Sequence, residues 1–238
     1  MLVAVAHGSR NPAAQANIRA LLDAVRAARP GLDVREAYIE LASPLLPEVL
    51  ADVPGEVAVV PLLLGNGYHI AHDVAGAAAF HRPGAGVAPA LGPDDLLVDA
   101  LADRLAEAEY CPVCPPPTNP VVLAVAGSSD PRSHADADAV AAVLAARLGR
   151  EVVAAYNSST TPSVVETVAA LRAAGHHRVS AATYLLSPGR FATEIKACGA
   201  DLVSDPLGVH PALVELVLRR YDAARASSRS LQRSTVAG

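Results

Sequence analysis

The chain has 238 residues, of which 52% are hydrophobic and 18% charged, enough for one large domain or two of about 100 residues each and too apolar for extended disorder. A net charge of −5 with no basic run excludes a general nucleic-acid binder. Three cysteines cannot staple a small fold, MLVAVAHGSR lacks the basic start and length of a secretion leader, and no apolar run reaches the ~20 residues of a membrane span. A soluble, cytoplasmic protein with no membrane partner is expected.

Apolar runs alternate with segments of helical period, the pattern of βα units around a mainly parallel sheet, so the fold class is α/β. Leu2 to Ala6 reads as a buried strand, and Ile18, Leu21, Leu22 and Val25 mark one face of a helix over 12–28. Asp33 to Ile39 is a second strand. Ser43-Pro44 reads as a helix cap and first-turn proline ahead of the apolar stripe Leu45, Leu46, Val49, Leu50 and Val53. Val57 to Leu64 is a third strand, 70–80 a helix, 86–90 a short strand, and Leu96, Leu97, Ala100, Leu101 and Leu105 the core face of a closing helix. These elements make an N-terminal lobe over 1–109. Residues 110–119, YCPVCPPPTN, form a proline-rich linker, since consecutive prolines continue neither helix nor central strand.

The pattern then restarts. VLAVAGSSDP (122–131) echoes LVAVAHGSRNP (2–12), and AYNSSTTPSVVETV (155–168) echoes AYIELASPLLPEVL (37–50). VSAATYLLSPGRF (179–191) echoes VAVVPLLLGNGYH (57–69), and PLGVHPALVELVLRR (206–220) echoes ALGPDDLLVDALADR (90–104). Four blocks in the same order indicate an internal duplication, with the second lobe over 120–225. The polar, aperiodic segment 226–238 is expected to be a disordered tail.

A duplicated fold keeps in both copies what folding needs, so side chains found in one copy alone are the better functional candidates. The echoed blocks set His7 opposite Gly127, Glu40 opposite Ser158 and His69 opposite Phe191. All three N-terminal residues close, or just follow, strands at the carboxyl edge where open α/β sheets build sites. Singly each has a plain alternative: a histidine bonded to a loop carbonyl, a solvated glutamate, a turn residue in Gly65-Asn66-Gly67-Tyr68-His69. Together they are candidate ligands and proton acceptors, because an imidazole with an ordinary pKa of about 6.5 can take a proton or hold a borderline metal. Ser9 and Arg10 open the first helix, where free N–H groups and a guanidinium favour anions, although Ser9 can equally serve as a cap. Arg190 flanks the matching turn of the second copy. His72 and Asp73 follow His69 at i+3 and i+4, Asp73 reading as an orienting or capping group and His72 as surface. Cys111-Pro-Val-Cys114 lacks the second pair of a zinc site and the helix N-terminus of a redox pair, and reads as structural or incidental. His81, His134, His176 and His177 read as surface, and His210 as a cap.

VAHGSR, AYIELASP, VPLLLGNGYHIAHD and LGPDDLLVDAL resemble the CbiX-type sirohydrochlorin chelatases, the class II tetrapyrrole chelatases, over residues 2–222. The resemblance implies two similar βα lobes facing each other across a cleft, and insertion of a divalent metal (cobalt or iron, with nickel also allowed) into the carboxylate-rich sirohydrochlorin of cobalamin or sirohaem biosynthesis. It further implies His7 and His69 as catalytic residues, and His7, Glu40 and His69 as metal ligands. Ser9, Arg10 and Arg190 are then the substrate-binding residues. No tightly bound cofactor is implied beyond the substrate metal, and two lobes fused in one chain point to a monomer. Two other readings stay open: a non-catalytic carrier of metal or tetrapyrrole, and a histidine-type phosphohydrolase, although Ala6 stands where that class places an arginine.

Overall fold

A computed structural model describes residues 1–65, 69–158 and 160–236, with side-chain detail outside 69–71 and 229–236. The first half of the chain runs β1 (Leu2–Ala6), α1 (Pro12–Ala28), β2 (Val34–Tyr38), α2 (Leu46–Asp52), β3 (Ala58–Pro61), a π-helical turn (His69–Val74), α3 (Ala75–His81), β4 (Gly86–Val87) and α4 (Asp95–Glu109). The second half runs β5 (Val121–Val125), α5 (Pro131–Leu148), β6 (Val152–Tyr156), α6 (Val164–Ala173), β7 (Ser180–Tyr184), α7 (Arg190–Lys196), β8 (Leu202–Val203) and α8 (Pro211–Val236).

Each half contributes one four-stranded, all-parallel sheet, ordered β2-β1-β3-β4 and β6-β5-β7-β8. The central strands carry apolar side chains on both faces, as parallel sheets covered by helices require; every residue from Leu2 to Ala6 and from Val121 to Ala124 is buried. On one face of the first sheet Val3, Val5 and Val59 pack with Leu46, Val49 and Leu50 of α2 and Ala78 of α3. The second sheet repeats this with Val122, Ala124 and Ala181 against Val164, Val168 and Ile195.

The compact units do not follow the boundary read from the repeat at 109–120. One comprises Met1–Gly92 with Val209–Gly238, the other Pro93–Gly208. Helix α4 packs on β7, β8 and α5, and α8 packs on β3, β4 and α1, so each sheet is closed by the last helix of the other copy. An apolar stripe tells that a helix covers a sheet, not which of two similar sheets it covers. Within the first unit, Arg220 of α8 donates from Nε to the Ala90 carbonyl and from Nη2 to that of Leu91, both at 2.9 Å, and Arg29 holds Asp222 through two bonds. Within the second, the last residue of α4, Glu109, receives both terminal nitrogens of Arg150 in a buried pair.

Smaller differences have local causes. Helix α2 is preceded by Leu45, whose N–H donates to Glu48 Oε2, with Pro47 in its first turn; Ser43-Pro44 lies upstream in the connecting loop, where Tyr38 N–H donates to the Pro44 carbonyl. β4 spans only Gly86–Val87 of the expected 86–90. Of the segment assigned to a disordered tail, residues 226–236 continue α8 as far as Val236, because that stretch holds no proline or glycine and extends a helix already nucleated. Cys111 and Cys114 form a disulfide across a turn in which Cys114 N–H reaches the Cys111 carbonyl, a pairing their spacing allows but does not require. His134 is partly buried rather than on the surface: its Nε2 meets the Ser128 carbonyl at 2.8 Å and its ring lies against Tyr156. Among the described residues no helix is long and apolar enough to cross a membrane.

Candidate active site

The ladder between β1 and β2 continues two residues past the strands and thereby builds the site. Ile39 N–H donates to the Ala6 carbonyl and Glu40 N–H to the His7 carbonyl, each at 3.0 Å. Backbone pairing at this edge brings the two side chains together, with His7 Nε2 3.7 Å from Glu40 Oε1. Both remain substantially open, at 40% and 54% side-chain exposure, so an incoming ligand reaches them without displacing core.

The next residue, Gly8, has φ +103°, and a Cβ there would run into the Glu40 carbonyl oxygen. Gly127 has φ +96° and meets Ser158 in the same way. These crossings fix the correspondence of the copies: Gly8 matches Gly127, so His7 stands opposite Ala126, one residue from the pairing with Gly127 given by the echoed strings. Glu40 remains opposite Ser158, whose hydroxyl donates back to the Ala126 carbonyl. The second copy thus carries an alanine and a short hydrogen-bonded hydroxyl in place of the imidazole and carboxylate.

Ser9 belongs to what both copies keep. Its Oγ accepts from Asn11 N–H, its carbonyl accepts from Gln15 Nε2, and Asn11 is the cap of α1. Ser128 does the same for Asp130 and meets His134 in the place of Gln15. The serine is therefore first a capping residue. Arg10 is exposed and has Ser129 as its counterpart, so the guanidinium is special to the first copy. Arg190, in the second compact unit, is 77% exposed, lies 3.4 Å from Glu194 and rests over the Phe191 ring.

His69 opens the π-helical turn, a type of winding frequent at functional sites; its ring, like residues Asn66, Gly67 and Tyr68, lies outside the described positions. The structure therefore brings together His7 and Glu40 of the expected trio. His72 is exposed and Asp73 half-buried within the same turn, whose wider winding alters the i+3 and i+4 spacing assumed for an α-helical face. Among the described residues no group of three or more His, Cys, Asp or Glu side chains could hold a metal ion.

Two further features bear on the chemistry. Tyr38, two residues before Glu40, is buried; burial first, then the charge of Glu36, raises its phenol above the ordinary range, so near neutrality it is not a proton acceptor. Leu41, which sequence reasoning passed over, has φ +62°, and the N–H of Ala42 reaches back to the Glu40 carbonyl at 2.8 Å. This is a three-residue turn of the strained hand, in which a side-chain-bearing residue costs about 1–2 kcal/mol.

The class these observations define is a duplicated, parallel α/β protein with an open imidazole–carboxylate pair at one sheet edge. The chain belongs to the CbiX family, whose model matches residues 1–108 and again 120–224. It is 28% identical over 123 residues to a sirohydrochlorin cobaltochelatase of Methanosarcina acetivorans, covering 45% of this chain and 95% of that one. It is 27% identical over 198 residues to a sirohydrochlorin ferrochelatase of Priestia megaterium, covering 76% of this chain and 73% of the relative. Its fold matches SirB from Bacillus subtilis with Fe3+ at a TM-score of 0.81 and 25% identity, over 96% of both chains.

Proposed function

We propose that this chain is a sirohydrochlorin chelatase, inserting Co2+ or Fe2+ into the macrocycle on a route to cobalamin or sirohaem; the ligand types also suit Ni2+. The observation that carries this reading is the open His7–Glu40 pair, 3.7 Å apart and present in one copy only, in a CbiX-family chain whose relatives are cobalto- and ferrochelatases.

The reaction replaces two pyrrole N–H protons by one divalent cation, so the site needs proton acceptors beside a cation-holding group. In this reading His7 accepts a proton at Nε2 and passes it to water, and His69 serves as the second acceptor. Glu40 lends negative charge to the entering cation, and its carboxylate with the two imidazoles forms the transient ligand set. Arg10 binds peripheral carboxylates, assisted by the helix start that Ser9 organises. Arg190 is proposed as a further carboxylate partner, for which it exchanges its contact with Glu194. No resident cofactor is invoked. The reaction is placed in the cytoplasm with one chain as the working unit.

The test is anaerobic incubation with sirohydrochlorin and either Co2+ or Fe2+, followed by absorbance of the metallated product. Turnover of many equivalents supports the enzyme; product limited to one equivalent per chain refutes it in favour of a carrier.

A further inference from the structure

The loop that carries Glu40 holds one residue that the fold does not call for. A β-strand alternates its side chains, and Ile39 is accordingly packed against the core. The turn closed by Ala42 N–H on the Glu40 carbonyl breaks that alternation and leaves both Glu40 and Leu41 in solvent, Leu41 at 48% exposure. A position at φ +62° is one that turn chemistry fills with glycine or asparagine. Burial does not explain the leucine either, since half its surface gains nothing from the core. The second copy has Ser159 at the matching position, next to the Ser158 that replaces Glu40. A leucine thus follows the carboxylate in one copy, whereas a serine follows Ser158 in the other. Strain held at such a place is characteristic of a ligand-contacting residue.

We propose that Leu41 contacts the substrate, its isobutyl group covering part of one face of the tetrapyrrole ring while Glu40 meets the metal. The inference rests on the sirohydrochlorin reading above and adds to it the group that recognises the ring itself. Sirohydrochlorin is a largely flat apolar ring rimmed by carboxylates. His7, Glu40 and Arg10 can serve the cation and the rim, but none offers apolar surface to the ring. Leu41 does, one residue from Glu40, on a turn whose geometry is fixed by the bond from Ala42 and by the closure of Tyr38 on Pro44.

The experiment compares wild type with Leu41→Asn, Leu41→Gly and Leu41→Met. Asparagine and glycine tolerate the backbone conformation and remove the apolar contact, whereas methionine keeps it. Sirohydrochlorin affinity is titrated anaerobically without metal, KM and kcat are measured with Co2+, and Tm is recorded. Covering the exposed half of a leucine predicts that Asn and Gly raise Kd and KM about fivefold, with kcat changed less than about twofold and Met close to wild type. Tm of the Gly and Asn variants should equal or exceed that of wild type. Wild-type affinity in Leu41→Asn, or a fall in Tm that accounts for the loss, overturns the inference. Failure of wild type to bind sirohydrochlorin at all overturns the functional reading along with it, whereas wild-type turnover with an indifferent Leu41 overturns this inference alone.

Discussion

The buried pair between Glu109 and Arg150 leaves the second compact unit vulnerable to a single substitution. Both side chains are nearly sealed from solvent, at 7% and 5% exposure. The guanidinium donates to the carboxylate at 2.7 and 2.8 Å and from Nε to the Asn119 carbonyl at 2.7 Å; the same carboxylate accepts the Ser180 hydroxyl at 2.5 Å. Four segments meet there: the end of α4, the end of the proline-rich stretch, the turn before β6 and the start of β7. Replacing Glu109 by Ala leaves a buried guanidinium with one remaining partner, a change that costs about 3–5 kcal/mol, and deprives Ser180 of its acceptor at about 1 kcal/mol more. Against a stability of about 5–15 kcal/mol, that is a large fraction, and at about 2–4 °C per kcal/mol it lowers Tm by roughly 8–24 °C. The informative control is Glu109→Met with Arg150→Met, which exchanges the pair for packed apolar groups and should lose far less than either single variant. Urea unfolding followed by far-UV circular dichroism supplies the free energies. A loss under about 1 kcal/mol in Glu109→Ala, or a double variant as costly as the sum of the singles, would refute the account of α4 as anchored by this pair.

His7→Ala and Glu40→Gln should reduce metal insertion at least about a hundredfold with Tm nearly unchanged, since both side chains are exposed and neither fills core; a large Tm loss would assign them to the fold. Gly127→Ala should destabilise the chain by about 2 kcal/mol or more, and Gly8→Ala similarly, because each added Cβ meets a carbonyl at positive φ; thermal melts matching wild type would contradict the crossing. The Asp201 carboxyl is held below its usual range first by the Val179 N–H and then by Arg172, so it stabilises the fold above the unfolded carboxyl pKa of about 3.9 and that contribution is lost as pH falls through the lower folded value. Asp201→Asn should therefore flatten acid unfolding below about pH 4, and an unchanged pH profile would remove Asp201 from that role.

The duplication and the sheets were legible because LVAVA and VVLAV are apolar runs of strand length, and because turn residues recur between them. His7 and Glu40 stood out by closing strands in one copy. The exact partner of His7 was missed by one residue: matching apolar letters slide along a strand, whereas the glycine that must pass beneath a carbonyl at positive φ cannot. Leu41 gave no signal, since a leucine after a glutamate looks ordinary until its φ is known. The destinations of α4 and α8 were hidden for another reason. Leu97, Leu101 and Leu105 on one helix and Leu213, Leu216 and Val217 on the other offer similar stripes, and only the packed structure distinguishes their sheets.

That exchange of closing helices sets an order for synthesis on the ribosome. Residues 93–208 form an uninterrupted stretch and can close as a unit once they have emerged, although they are made second. The first-made sheet, which carries His7 and Glu40, waits with β3 and β4 uncovered until α8 leaves the exit tunnel. A message truncated near its end therefore yields a finished second unit attached to an unfinished site-bearing one. The half of the molecule that begins translation is thus the last to receive its covering helix.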